Sequence, residues 1–386
     1  MGWKNYKIQT KSISLVFLTL FFNIITANDI SESLVKHKDT FNNVALEIWD
    51  FAELGYLENK SSSLLAKSLE SNGFKIKKGV ADIPTAFIAE FNNGGPVIAI
   101  LGEFDALPGL AQSSSPFKEM IDNQTGAGHA CGHNLFGAAS AWAAVVVKDW
   151  LVKNNIQGTI RFYGTPAEEG GSGKVYMVRD GLFNDVDIVL HWHPDDVNSA
   201  NSRTSNSNKS AKFTFNGISS HAAGAPEQGR SALDGVEAMN HMVNMMREHI
   251  PQESRIHYVI TKGGLAPNVV PDVAEVYYYV RHPQMSVVEE LFKRVVNTAN
   301  GAAIGTDTKM SYEVMHGNFS LLPNDTIQKI VHRNLEIAGG ISYDQEEKEY
   351  AENIYKTFFE PDNELGTQEN IRPVSYTHLT LPTSFL

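Results

Sequence analysis

The chain has one cysteine, Cys131, in 386 residues. No intramolecular disulfide is possible, so that thiol is inert, intermolecular or a ligand. Basic residues are also scarce: 32 Lys and Arg stand against 44 Asp and Glu, for a net charge of −12. The acidity is spread along the chain, without the clustered Lys and Arg that a phosphate-binding surface needs, which argues against nucleic acid as a partner. The apolar run Ile13 to Ile25 is short for a bilayer span. A phosphate loop is absent from Gly170-Gly171-Ser172-Gly173-Lys174, because Glu168 stands where the first glycine is required and Val175 follows Lys174. Around Ser220 there is no Gly-x-Ser-x-Gly elbow, which leaves a serine hydrolase built on Ser220 and His221 as a minor alternative.

What is present is a globular composition, 42% hydrophobic and 20% charged, on a chain long enough for two domains or one domain with a large insertion. Lys4, Lys7 and Lys11 precede the apolar run, and Thr26-Ala27 closes it on a small residue. That pattern predicts a signal peptide over residues 1–27 and export to the periplasm or exterior, with no stable membrane span after cleavage.

Beyond it, Phe41, Val44, Ala45, Ile48 and Phe51 fall at helical spacing, and a second helix is expected over Ser63–Ser71. Ala86–Phe91, Val97–Leu101, Thr159–Tyr163 and Asp187–Leu190 read as strands, the last three buried. Helices over Ala138–Leu151 and Lys174–Arg179 alternate with them, which predicts an α/β fold with a mostly parallel sheet. The Ser- and Asn-rich stretch Asn201–Ser210 reads as a linker. Past it, the order strand, helix, two strands, helix, strand over 211–315 is that of a ferredoxin-like α+β unit inserted into the first domain. The expected organisation is a catalytic domain over 28–205, an inserted lid or dimerisation domain over 206–320, and a resumed catalytic segment over 321–373.

Four polar clusters sit where an α/β sheet presents ligands, at strand ends and helix starts. Glu103 and Asp105 follow the strand Val97–Leu101, and strand alternation turns both carboxylates to one side. Cys131 and His133, with His129 nearby in a glycine-rich loop, can chelate one borderline cation. Glu168-Glu169 offers one carboxylate for a metal and one for its water, the division of labour a metallohydrolase needs. His191 and His193, on alternate positions of His191-Trp192-His193-Pro194, face one side and either can complete the set. Each cluster alone is commonplace; together they supply the ligands and base of a catalytic zinc-type site.

The runs Gly102-Glu103-Phe104-Asp105-Ala106-Leu107-Pro108-Gly109, Gly128–Asn134, Gly164–Gly171, Leu190–Pro194, Gly217–Ala225 and Gly264–Pro271 resemble the aminoacylase and glutamate carboxypeptidase superfamily of metallopeptidases. The similarity is strongest to its aminobenzoyl-glutamate utilisation protein B group, which shares Asn134 where many relatives carry Asp, and it covers roughly residues 33 to 365. The resemblance implies a zinc-peptidase-like catalytic domain, two divalent metal ions (Zn2+ or Mn2+) and hydrolysis of N-acyl amino acids or dipeptide-like amides such as aminobenzoyl-glutamate. It implies metal ligands at Cys131, His133, Glu169 and His193, with His191 as the alternative histidine, a general base at Glu168 and a supporting acid at Asp105. It further implies His221 at the substrate carbonyl, Asn268 and Arg281 on the substrate's backbone or carboxylate, and a homodimer or a hetero-oligomer with a related subunit. Relatives continue for roughly ninety residues more, including a last His ligand, so the catalytic domain is expected to be incomplete here and the protein to be a ligand-binding form if it is inactive. Residues 374–386 do not resemble the family, and His378 is not expected to replace that ligand.

Overall fold

The apolar stripe of Phe41, Val44, Ala45 and Ile48 is the buried face of helix α1 (Gln9–Phe51). The computed structural model describes residues 9–200, 204–359 and 365–372. The expected tail over 374–386, and the signal peptide over 1–27 apart from backbone from Gln9 onward, lie outside the described residues.

After α1 come α2 (Asn59–Ser71), β1 (Lys75–Lys78), β2 (Phe87–Asn92) and β3 (Val97–Gly102). A two-residue ladder of β4 (Leu107–Pro108) with β5 (Ala127–Gly128) brackets the next loop. Helix α3 (His133–Lys153), β6 (Thr159–Gly164), the short turn α4 (Glu168–Gly171), α5 (Gly173–Arg179) and β7 (Ile188–Leu190) complete the first unit, which ends at Pro194. Its sheet has the order β1-β2-β6-β3-β7: β6, β3 and β7 are parallel, and β1 and β2 add an antiparallel edge. The edge strand β1 reads Lys-Ile-Lys-Lys, charges that discourage pairing with another chain.

Helix α3 is apolar enough to pass for a membrane span by length and composition, but it is the core helix of this unit. Its Trp142 ring stacks on Phe41 of α1 at 6.4 Å, and Ala138, Ala141 and Val145 are buried. Leu65 and Leu69 of α2, with Phe87, Phe104 and Phe162, fill the same core, each worth about 1.5–3 kcal/mol when fully buried. The sequence reading of Asp187–Leu190 as a buried strand is corrected: β7 is an edge strand among the described residues, with Val189 45% and Leu190 36% exposed. An apolar run marks a strand, but only its neighbours decide whether it is covered.

The second unit runs from Asp195. It contains β8 (Asn198–Ser199), β9 (Ser207–Asn216), α6 (Ala232–Met246), β10 (Arg255–Lys262), β11 (Val273–His282), α7 (Met285–Gly305) and β12 (Lys309–Asn318), then α8 (Asp325–Ala338), α9 (Gln345–Tyr355) and β13 (Ile371–Arg372). The four-stranded sheet is antiparallel in the order β10-β11-β9-β12, which is the ferredoxin-like arrangement. Helices α6 and α7 bury Val236, Met239, Val243, Leu291 and Val295 against Phe213, Phe215 and Tyr278 of the sheet. β8 and β13 pair in parallel, joining chain from before and after this sheet. The linker reading of Asn201–Ser210 is corrected for its last four residues: Ser207 to Ser210 open β9, and Ser207 and Ser210 are fully buried. Ladders on both sides of β9 satisfy its backbone, so position overrides the turn-like composition.

Candidate metal centre

Three parallel strands and one helix start deliver the polar clusters of the first unit. Glu103 and Asp105 follow β3, Glu168 and Glu169 follow β6, His191 and His193 follow β7, and Cys131 and His133 sit at the N-terminus of α3. Two glycines make the geometry possible. Gly132 adopts φ 77 at the N-cap of α3, so the chain reverses between Cys131 and His133. Gly137 lets α3 press on the sheet, since a Cβ there would lie 2.6 Å from the Glu103 carbonyl oxygen. One helical turn before it, His133 is thereby pushed between Glu103 and Asp105.

His133 is fully buried, and each ring nitrogen meets one carboxylate. Nδ1 lies 3.0 Å from Asp105 Oδ1 and 3.1 Å from the Asp105 carbonyl oxygen. Nε2 lies 3.0 Å from Glu103 Oε2, but out of line for a hydrogen bond, so both atoms are buried without a hydrogen-bond partner. The second Asp105 oxygen accepts the Glu169 backbone N–H at 2.8 Å. Glu103 Oε1 pairs with Lys174 Nζ and lies 3.4 Å from His191 Nε2.

Cys131 Sγ is 3.3 Å from His193 Nε2, while His193 Nδ1 donates to the Pro194 carbonyl oxygen at 2.8 Å. Donor atoms of Cys131, His133 and His193 all lie within 4.8 Å of one another, as do those of Glu103, His133 and Glu168. The Phe136 ring meets those of His191, Trp192 and His193 edge-on, and Trp192 Nε1 donates to Ser140 Oγ at 2.9 Å. These contacts fix the His191–His193 strand end against α3.

The charges are strongly coupled. The neighbouring His133 and then the hydrogen bond with His193 lower the Cys131 thiol pKa, as suits a thiolate ligand. The Cys131 bond in turn raises His193 to about 9. Burial pushes His133 down, but the hydrogen bond to Asp105 and the closeness of Cys131 and Glu103 outweigh it and lift the ring to about 12. Burial also works to raise Glu103, yet Lys174, His133 and His191 hold it well below the usual carboxylate range. Glu168 is raised by burial of its base and then by Glu103, although its side chain reaches solvent. Glu169 is raised by burial against the opposing pull of His133 and Cys131.

This donor set fits a borderline divalent cation: a thiolate, imidazoles and carboxylates in one pocket. The observation that carries the fit is the orphaned pair His133 Nε2 and Glu103 Oε2, two buried atoms that one cation, displacing the ring proton, would satisfy together. Of the two histidines left open by the sequence, His193 stands beside Cys131 and His191 beside Glu103. The Glu169 carboxylate belongs to neither donor group, whereas that of Glu168 does. His129 stands apart: its Nε2 meets the Ile48 carbonyl oxygen at 3.0 Å, and burial lowers its pKa to about 4.

Sequence reasoning underrated Glu103, whose spacing marked only a pair of strand-end acids. It set Lys174 aside with the phosphate loop, and it missed Tyr56 and Glu58 altogether. A Glu just ahead of α2 reads as an ordinary helix start, so only the fold shows where its side chain goes.

The remaining predicted residues lie in the second unit. His221 is exposed, and its Nδ1 accepts backbone N–H groups from Ala223 and Gly224 at 3.2 and 3.0 Å. A neutral ring so held carries its proton on Nε2. Ser220 Oγ donates to the Ala225 carbonyl oxygen, so this hydroxyl is committed away from His221. The Asn268 carbonyl oxygen accepts the Ala222 N–H at 3.1 Å, tying the His221 loop to the Gly264–Pro271 run. Arg281 lies on β11 with its guanidinium over the Tyr279 ring, 5.0 Å from the centroid.

Residues 204–307 match the peptidase dimerisation domain of the M20 family. Over 336 residues the chain is 41% identical to a subunit of p-aminobenzoyl-glutamate hydrolase from Escherichia coli (strain K12), covering 87% of this chain and 70% of that protein. Among solved structures it is similar in fold to aminobenzoyl-glutamate utilization protein from Klebsiella pneumoniae, with TM-score 0.61 and 19% identity over 80% of this chain and 83% of that one. It is also similar to the Bacillus subtilis YXEP protein, described as a dinuclear metal binding peptidase from the M20 family, with TM-score 0.50 and 22% identity over 75% and 77% of the two chains.

Proposed function

This chain belongs to the M20 metallopeptidase family of hydrolases, and we propose that it uses two divalent metal ions, Zn2+ or Mn2+, to hydrolyse the amide bond of N-acyl amino acids or dipeptide-like substrates such as aminobenzoyl-glutamate. The meeting of Cys131, His133 and His193 donors within 4.8 Å, and of Glu103 and Glu168 donors with the same His133, carries the proposal. The activity named for the Escherichia coli relative supports the substrate class. That relative's designation as a subunit and the dimerisation-domain match support a homodimer or assembly with a related subunit. The basic, apolar and small-residue order of the first 27 residues supports export.

Cys131, His133, His193 and Glu169 would hold the metals, with His191 and Glu103 on the same wall. Bound there, divalent cations polarise the scissile carbonyl and make water more acidic. The chain's own residues do the rest. Asp105 grips His133 at Nδ1, which directs the lone pair of Nε2 into the pocket. Glu168 takes a proton from the attacking water and returns it to the leaving amine, a task suited to a carboxylate of raised pKa. His221, with Nδ1 occupied, presents Nε2–H to the carbonyl oxygen as negative charge develops there. Arg281 offers a planar fork to the substrate carboxylate, and Asn268 an amide to its backbone.

The test is metal content by elemental analysis, with hydrolysis of p-aminobenzoyl-glutamate by wild type and Glu168→Gln. Both proteins should bind metal, and the variant should lose roughly 10²–10⁴-fold in rate. Absence of bound metal, or equal rates for the two proteins, would overturn the proposal.

A further inference from the structure

The loop between α1 and α2 has no part in the chemistry so far, yet it holds the Glu168 turn at both ends. Glu58 is fully buried, an expensive place for a carboxyl group unless it is bonded. It occupies the N-cap position of α2 but makes no capping bond with its side chain. In the first turn of α2, the Lys60 and Ser61 amides are taken instead by Glu53. Glu58 therefore turns inward, and its Oε1 accepts the Ala167 backbone N–H at 2.7 Å.

At the other end of the turn, Tyr56 Oη donates to the Gly171 carbonyl oxygen at 2.6 Å. Between these bonds the loop lies flush on the turn. A Cβ on Gly55 would come within 3.0 Å of Ala167, and one on Gly171 within 2.7 Å of the Tyr56 ring. The clasped segment is one that does not hold its shape unaided: Ala167 has φ 54, Gly170 φ 85 and Ser172 φ 55. Left-handed backbone at Ala and Ser persists only where the surroundings over-determine it. With Asp105 on the Glu169 N–H, buried carboxylates grip the amides on both sides of Glu168.

We propose that Glu58 and Tyr56 are positioning residues that clamp the Ala167–Ser172 turn, so that Glu168 is presented to its water in a fixed orientation. This rests on the role given to Glu168 above, and the test separates the two ideas. Wild type, Glu58→Ala, Glu58→Gln and Tyr56→Phe, each loaded with Zn2+ or Mn2+, are compared by hydrogen exchange over residues 167–172 and by kcat and KM for p-aminobenzoyl-glutamate.

Glu58→Ala should speed exchange of the turn at least tenfold and lower kcat about 10- to 100-fold with KM and metal content unchanged, the scale of loss expected from misplacing a reacting group. Glu58→Gln keeps an oxygen for the Ala167 N–H and should recover most of both effects. Tyr56→Phe, which removes a single hydroxyl and leaves the packing intact, should show the same kinetic split more weakly. Unchanged exchange in both Glu58→Ala and Tyr56→Phe overturns the clamp, as does a Glu58→Gln variant as impaired as Glu58→Ala. If wild type binds metal and turns nothing over while the exchange pattern holds, the clamp stands and the hydrolase reading fails.

Discussion

Burial of Glu58 has a consequence for stability that is independent of catalysis. Its folded pKa rises from 4.5 to about 7, chiefly from burial and then from the nearby Asp105, against opposing hydrogen bonds from its own backbone N–H and that of Ala167. A carboxyl raised in this way binds its proton more tightly in the folded state than in the unfolded one. The cost of holding it ionised is absent below about pH 4.5 and fully present above about pH 7, so stability falls as pH rises through that window. The shift corresponds to about 3 kcal/mol at pH 8. Glu58→Gln keeps the acceptor for Ala167 and cannot ionise, so it should remove that cost. Thermal unfolding of both proteins at pH 5 and pH 8, with chelator present so that metal binding drops out, measures it. At roughly 2–4 °C per kcal/mol for a unit of this size, the variant should melt several degrees above wild type at pH 8. The gap should shrink as pH falls towards 5. A variant no more stable than wild type at pH 8, or a gap unaffected by pH, would refute the reasoning.

Asp105 spends one oxygen on His133 Nδ1 and the other on the Glu169 N–H, so Asp105→Ala should weaken metal binding about 10- to 100-fold, measured by competition with a chromophoric chelator. Cys131→Ser, which exchanges a thiolate for a hydroxyl, should lower bound metal per chain in elemental analysis while leaving the fold intact by circular dichroism. Phe213 is fully buried between sheet and helices of the second unit, and Phe213→Ala should destabilise that unit by about 3–5 kcal/mol in denaturant titration. That substitution should leave metal content unchanged, because every proposed metal ligand lies in the first unit.

Much of the fold was legible because the elements carry strong periods. The stripe from Phe41 to Ile48 and the apolar run from Val97 define α1 and β3, and the strand and helix order after residue 205 defines the ferredoxin-like sheet. Placement within a sheet was less legible. β7 reads as buried because Ile188, Val189 and Leu190 are apolar, but hydrophobicity along a strand does not say which neighbours it has. Ser207 to Ser210 read as linker because Ser and Asn favour turns, yet β9 pairs on both sides and buries Ser207, Asn208 and Ser210. The antiparallel pair β1-β2 likewise adds itself to a sheet whose other strands run parallel, a choice made by connection and not by composition.

The site shows the same limit at finer scale. Alternation correctly turns Glu103 and Asp105 to one side, and from that alone they share a pocket doing one job. They instead meet opposite nitrogens of the His133 ring, one with a hydrogen bond and one without. What separates them is the height at which α3 crosses the strand end, set where Gly137 touches the Glu103 backbone. A side chain at residue 137 would lift the helix and draw His133 out from between the carboxylates. The division of labour between orienting acid and metal-facing acid thus depends on a glycine one helical turn away, which the spacing of the acids themselves does not reveal. Gly137→Ala should accordingly lower metal affinity more than it lowers the melting temperature of the metal-free protein. Equal metal affinity for Gly137→Ala and wild type would show that the helix height does not govern the site.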